Sequence, residues 1–194
     1  MNKLVSIVTP CYNGAPYLSR YAKSIIDQDY PNIQLIFMND GSTDNSEEVI
    51  LSYEKEFKEH GITLEYHRHE NVGLGGTVAK GIKHIKGEYF IWFDQDDFLP
   101  PQSIIKRVNY LEQHPEYGVV RTTYKKVHNS DLSKTLVIGP ENLTYEQKAK
   151  ELLFEDYLVS RNMWLQPGCY MIRMAAFDRV NPDRYLYPSR EGHD

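Results

Sequence analysis

A chain of 194 residues, 41% hydrophobic and 25% charged, is sized for one sizeable core or for one domain with a small appendage. A formal charge of −5 and a pI near 5.8 argue against binding a nucleic acid by neutralising its phosphates. No apolar run reaches the roughly 18 residues of a membrane span, and Met1-Asn2-Lys3 runs straight into a strand-like segment rather than a leader. Cys11 and Cys169 stand far apart, without metal-ligand or redox spacing, which predicts reduced thiols. The expected location is cytoplasmic, with peripheral attachment to the inner face of a membrane left open.

Leu4–Pro10 is apolar and β-branched, and Asn13-Gly14 supplies a turn after it. Tyr17, Leu18, Tyr21, Ala22, Ile25 and Ile26 then recur along one helical face, and Pro31-Asn32 ends that segment. Ile33–Met38 reads as the second strand. After the turn Asn39–Asp44 comes a helix with Val49, Ile50, Tyr53 and Phe57 inward, stopped at Gly61. Ile62–His67 alternates Ile62, Leu64 and Tyr66 with polar residues, a strand with one wetter face. Asn71–Gly76 is a glycine-rich loop, and Val78, Ile82 and Ile85 face inward on the helix after it. A strand over Tyr89–Phe93 follows, then a helix carrying Ile104, Ile105, Val108 and Leu111 that Pro115 closes. This alternation predicts a mainly parallel, three-layer α/β/α sheet of Rossmann-like type over residues 1–115.

Beyond 115 the pattern changes. Tyr117–Tyr124 and Lys134–Ile138 read as two strands around the polar turn Asn129–Ser133. Thr144–Glu155 reads as a helix, Met163–Ile172 as irregular, and Arg173–Val180 as a last short helix. With no linker or repeat in sight, the shift near 115 is a change of architecture inside one domain spanning 1–194.

The chemistry concentrates in Glu88–Pro100. The apolar run Tyr89–Phe93 leads without a break into Asp94, Asp96 and Asp97. Acids at the carboxyl end of a buried strand sit where open α/β sheets place ligands. Three carboxylates so close repel one another unless a cation or well-placed donors offset the charge. A hard divalent metal shared with substrate phosphates meets that need; the competing role is a helix N-cap at Asp97. The basic cluster Lys80, Lys83 and Lys86 adds a local attraction for a phosphorylated ligand. His67 and His69 stand at i, i+2, with no third ligand at useful spacing, so no zinc site is expected.

Four stretches in order carry a resemblance: Ser6–Asn13 (S-I-V-T-P-C-Y-N), Asn39–Asp44 (N-D-G-S-T-D), Glu70–Leu74 (E-N-V-G-L) and Gly87–Asp97 (G-E-Y-F-I-W-F-D-Q-D-D). Each is weak alone; together they resemble the family 2 nucleotide-sugar glycosyltransferases of the GT-A fold, over roughly residues 4–125. The resemblance implies that Pro10, Tyr12 and Asn13 approach the nucleotide, with Tyr12 stacking on the base. It also implies that Asp40 accepts a base or ribose hydrogen bond. Within the D-x-D-D stretch one acid binds ribose or orients its neighbour, with Asp94 and Asp96 on the donor side. Mg²⁺ or Mn²⁺ is held by Asp96 or Asp97, a choice the sequence leaves open. Gly73, with Gly75 and Gly76, allows close backbone approach at a helix N-terminus; a tight turn is the competing role. Asp40 competes in the same way with an Asx-turn or a cap, Asp44 and Ser46 being alternative caps.

The chain also departs from the family. Asn39 stands where an Asp is common, and Val78-Ala79 where an Arg-Asn pair is usual, with Lys80 two residues on as a substitute cation. The family's general base is expected in P-S-R-E-G-H-D at 188–194, Asp194 first and Glu191 second. The family normally continues past such a motif, so a truncated chain is expected. Trp164, Gln166 and Tyr170 are candidates for an acceptor pocket or for plain packing. The resemblance thus implies an inverting, metal-dependent transferase that uses a nucleotide-diphosphate sugar, with UDP the expected nucleotide. Its acceptor would be a glycan, a lipid-linked saccharide or another hydroxyl. The alternatives are a nucleotide-sugar-binding module without turnover and, less favoured, a sugar-phosphate nucleotidyltransferase. The latter needs a longer basic loop than C-Y-N-G-A-P provides.

Overall fold

The computed structural model describes residues 2–139 and 167–186. A central sheet runs in the order β3-β2-β1-β4-β8-β5. Its strands are β1 (Val5–Cys11), β2 (Ile33–Asn39), β3 (Ile62–Arg68), β4 (Tyr89–Trp92), β5 (Val119–Arg121) and β8 (Tyr170–Arg173). The strands β3, β2, β1 and β4 pair in parallel, and β8 lies antiparallel between β4 and β5. The hairpin β6 (Tyr124–His128) and β7 (Asp131–Gly139) forms a separate two-stranded sheet.

Burial on both faces explains the uninterrupted apolar runs. Every residue of β1 and β2 is buried, as expected of parallel strands covered by helices on both sides. Alternation sorts their side chains between two cores. Val5, Ile7, Leu35, Phe37, Tyr89 and Ile91 face one core, closed by α1 (Ala15–Ile26), α2 (Ser46–Ser52), α3 (Glu54–Glu59) and α5 (Ser103–Gln113). Val8, Ile36, Met38 and Phe90 face the other, closed by α4 (Leu74–Gly81), a following 3₁₀ turn (Ile82–His84) and α6 (Met174–Val180). The three layers expected from the β-α alternation are therefore present.

Several boundaries differ from expectation. The helix after Asp44 breaks at Tyr53 into α2 and α3, with Ile50 and Phe57 still buried. The segment 117–124 is divided: β5 joins the main sheet, while Tyr124 opens the β6–β7 hairpin. Met163–Ile172, expected to be irregular, ends in β8, where Met171 is fully buried between two neighbours. Four residues pairing with partners far away in sequence leave no local period to read. The helix expected over Thr144–Glu155 lies outside the described residues.

Candidate functional site

Strand order fixes where a ligand can sit. The chain steps from β1 to β2 and β3 on one side, then returns to place β4 on the other side of β1. Such a reversal opens a crevice beyond the carboxyl ends of the strands. A cavity of about 410 Å³ lies there, lined from β1 by Pro10, Cys11 and Tyr12 and after β2 by Asp40. The glycine loop and α4 add Asn71, Gly73, Leu74 and Thr77, and the loop after β4 adds Asp94, Gln95 and Asp96. Six residues singled out from sequence (Pro10, Tyr12, Asp40, Gly73, Asp94 and Asp96) thus share one wall.

Tyr12 is half exposed at 49%, and its backbone is held on both sides by Gln95. The Tyr12 N–H donates to Gln95 Oε1 at 2.9 Å, and Gln95 Nε2 donates to the Tyr12 carbonyl at 3.2 Å. Gly14 makes room for this clasp, because a Cβ there would come within 2.6 Å of Gln95 Oε1. Asn13 is turned away from the cavity. It has φ 51°, its N–H donates to Ser42 Oγ, and its Oδ1 accepts from the Thr43 and Asp44 N–H groups. Its role is to lock the β1–α1 loop onto the Asn39–Asp44 turn. Asp44 and Ser46 do the same from the opposite side, accepting the Ala15 and Gly14 N–H groups at the start of α1.

Asp40 is buried and braces the glycine loop. Its two carboxylate oxygens accept the N–H groups of Val72 at 2.7 Å and Gly73 at 3.0 Å, and His69 Nδ1 lies 3.4 Å away. Oδ2, which accepts only the Gly73 N–H of these groups, keeps a further lone pair for a ligand. Gly73 is the N-cap of α4 with φ 80° and ψ 169°, a backbone state almost confined to glycine that costs an L side chain about 1–3 kcal/mol. Asn39 has a local reason to replace an acid: fully buried, it donates from Nδ2 to the Tyr66 hydroxyl and accepts the Ser42 N–H at Oδ1. An ionised carboxylate there would be fully buried and would need the Tyr66 hydroxyl to turn and donate instead.

The acids follow β4 as expected. Asp94 accepts from Trp92 Nε1 at 2.8 Å. Burial nevertheless pushes its carboxyl up to about 6; the Trp92 bond opposes the rise and the charges of Asp97 and Asp96 add to it. Asp97 donates its N–H to the Asp94 carbonyl and lies outside the cavity lining. Asp96 is exposed and lines the cavity, and its carbonyl accepts from Arg20 Nη2 at 3.0 Å. Arg20 also donates to Asn129 Oδ1 in the hairpin turn, so it anchors the acidic loop from two elements. Carboxylate oxygens suit a hard divalent cation, whose charge would stabilise the ionised form of Asp94 against its burial and against the neighbouring acids.

Lys80 is not brought to the cavity. One turn farther along α4 and rotated toward Ala79, it lines a second space of about 370 Å³ with Val72, Gly76, Ala79, Lys83, Tyr185 and Leu186. Lys86 pairs with Glu65. Val78, where the family's arginine is usual, is buried in the core under α4. Sequence reasoning missed Cys11, Asn71, Leu74, Thr77, Gln95 and Arg20. Five of these sit inside or beside the quoted motifs, whereas Arg20 lies on a helix 76 residues from its partner and leaves no local signal. Asp194, Glu191, Trp164 and Gln166 lie outside the described residues. Tyr170 is in β8, with the Arg121 guanidinium over its ring.

A sheet of this order, with a cavity beyond the carboxyl ends of its strands and acids after β4, defines a three-layer α/β domain with a candidate ligand site at its switch point. The sequence matches Glycosyl transferase family 2 over residues 6–180, and the chain belongs to that family of glycosyltransferases. It is 42% identical over 117 residues to an uncharacterized glycosyltransferase of Rickettsia typhi, covering 60% of this chain and 35% of that protein. The fold is shared with S. aureus TarS, solved in complex with UDP: TM-score 0.70, 18% identity, 95% of this chain and 50% of that one. It is also shared with the mannosyltransferase PcManGT from Pyrobaculum calidifontis, solved with GDP-Man and Mn²⁺: TM-score 0.63, 18% identity, 93% and 47% covered. The chain thus spans about a third to a half of the length of these proteins.

Proposed function

We propose that this chain is the donor-binding domain of an inverting, metal-dependent glycosyltransferase that uses a nucleotide-diphosphate sugar, with UDP the favoured nucleotide. The observation that carries the reading is the meeting of Tyr12, Asp40, Gly73, Asp94 and Asp96 around one 410 Å³ cavity. In this reading Tyr12, held by Gln95, stacks on the base, a contact that contributes about 1–3 kcal/mol. Asp40 accepts from base or ribose while fixing the glycine loop, and the amide-rich start of α4 faces the diphosphate. Asp96 or Asp97 holds Mg²⁺ or Mn²⁺, while Asp94 binds ribose or orients its neighbour. When bound, the ion supplies Lewis-acid stabilisation of the leaving nucleoside diphosphate.

Asp194, or failing it Glu191, is proposed to take the proton of the acceptor hydroxyl. The acceptor is a glycan, a lipid-linked saccharide or another hydroxyl. Residues 1–115 form the donor half and 116–194 part of the acceptor half of one domain. No helix among the described residues is long and apolar enough to cross a membrane, and peripheral attachment through further chain belongs to the proposal. The buried Val78 favours a second reading, binding without turnover, since the arginine usual there is replaced by a core residue.

Calorimetric titration of UDP, GDP, CDP and dTDP, each with Mn²⁺ and again with chelator, tests the reading. One nucleotide should bind only with the metal, and at least one of Asp96→Asn and Asp97→Asn should abolish that binding while leaving the circular dichroism unchanged. Normal binding by either variant would remove that residue from the metal site. No binding of any of the four nucleotides would refute the proposal. Nucleotide binding without sugar release from the matching donor and an acceptor panel would decide for the second reading.

A further inference from the structure

We infer that Glu65, His67 and His84 form a binding site for a divalent transition-metal ion of the Zn²⁺ type, separate from the acids after β4. Glu65 and His67 stand at i, i+2 on β3 and therefore point to the same side of the sheet. Leu64 and Tyr66 point to the other side, into the core closed by α1 and α3. The face of Glu65 and His67 is thus the one that α4 covers, and the 3₁₀ turn after α4 brings His84 to it.

One ligand atom from each residue lies within 4.8 Å of the other two, and the two imidazole rings have centroids 4.0 Å apart. Two ring nitrogens and one carboxylate oxygen form a donor set suited to Zn²⁺, with a fourth position left to solvent. It is poorly suited to Mg²⁺, which takes oxygen ligands almost throughout.

A second observation points the same way. His67 Nε2 is buried and has no hydrogen-bond partner. Buried ring nitrogens are normally hydrogen-bonded or coordinated. Glu65 already draws a cation, since Lys86 Nζ rests on its Oε1. Lys86 is 66% exposed and can swing into solvent when a metal takes its place.

Sequence spacing sets His67 beside His69 and leads to the expectation of no zinc site, because no third ligand stands nearby in the chain. His69 turns to Asp40 and the Glu70 carbonyl, and the third ligand comes from His84, out of reach of any spacing argument. A metal here would tie the edge strand β3 to the end of the α4 segment. The opposite end of that segment lines the cavity through Gly73, Leu74 and Thr77. The ion would therefore act by holding α4, away from the transferred group.

The test is equilibrium dialysis of the chelator-stripped full chain against Zn²⁺ and, separately, Mg²⁺, with metal analysis and Co²⁺ absorption spectra. The wild type and an Asp96→Asn/Asp97→Asn double variant should each bind one equivalent of Zn²⁺ at this site, and Co²⁺ should give the intense bands of tetrahedral coordination. His67→Ala, His84→Ala and Glu65→Gln should each weaken Zn²⁺ binding by at least about tenfold. Should His67→Ala fail to fold, His84→Ala, altered on a part-exposed turn, carries the decision. Unchanged Zn²⁺ affinity in folded His84→Ala, or loss of all Zn²⁺ binding in the aspartate double variant, would overturn the inference. The aspartate variant also separates this site from the proposed donor site.

Discussion

Asp94 is the acid of the cavity whose carboxyl burial shifts clearly upward. Its carboxyl titrates near 6 in the fold, against 3.8 ordinarily. Below the ordinary value both folded and unfolded chains hold the proton, and the fold suffers no penalty. As pH rises toward the folded value the unfolded chain ionises freely while the fold resists, so stability is lost. For the chelated protein we expect a decline of about 2–3 kcal/mol between pH 4 and pH 6–7 that Asp94→Asn lacks. Urea unfolding of both proteins across that range checks this, and parallel profiles would sink the assignment. Beside it, Gln95 makes two hydrogen bonds to the Tyr12 backbone, together contributing about 1–2 kcal/mol. Gln95→Ala should weaken nucleotide binding roughly tenfold and lower the melting temperature by about 2–8 °C, and Gln95→Glu, which keeps only the acceptor, should fall between. Equal affinity in Gln95→Ala would mean that Tyr12 needs no clasp.

At the scale of elements, α4 is set by its first residues. Gly73 adopts φ 80° so that its N–H and that of Val72 can both reach the Asp40 carboxylate. Gly73→Ala should cost about 1–3 kcal/mol of stability and should also weaken nucleotide binding, because the distorted turn lines the cavity. Thermal unfolding and titration on the same variant check both, and a loss of stability alone would confine Gly73 to the turn. How much of this was legible depends on how local the cause is. β1, β2 and β4 were readable because strands covered on both faces must be apolar throughout, and the acids that follow them announce the crevice. The glycine loop was readable as a turn, but its tie to Asp40, 32 residues earlier, was not. Asn13 illustrates the same limit: its hydrogen bonds go to the Asn39–Asp44 turn, about 30 residues on in sequence, which no local pattern announces. Lys80 lies close to the cavity in sequence but lines the second space, a difference that helical rotation sets.

The whole molecule depends on a strand that the sequence hid. β8 comes from beyond residue 166, yet it inserts between β4 and β5 and so covers the edge of the strand that carries the acids. Arg173 at its end fastens three elements. Nη2 donates to the Leu111 carbonyl at 2.6 Å, Nη1 to the Tyr89 hydroxyl at 3.0 Å and Nε to the Tyr117 carbonyl at 3.3 Å. Met174 and Phe177 of α6 then close the second core, with Phe177 edge-on to Phe90 of β4. A chain ending at Gly139 keeps every cavity-lining residue but loses this cover. It would leave β4 with an unpaired edge, β5 without a sheet partner and the apolar side of Phe90 open to water. Exposed edges of that kind drive association. We therefore expect the 1–139 chain to be aggregated on size-exclusion chromatography and to lack a cooperative urea transition, even though its nucleotide-binding motifs are intact. Arg173→Ala in the full chain, removing three hydrogen bonds to carbonyl and hydroxyl groups, should lower stability by about 2–3 kcal/mol while leaving nucleotide affinity unchanged. A monomeric, cooperatively folding 1–139 chain would show instead that the donor half stands alone and that β8 serves only the acceptor side.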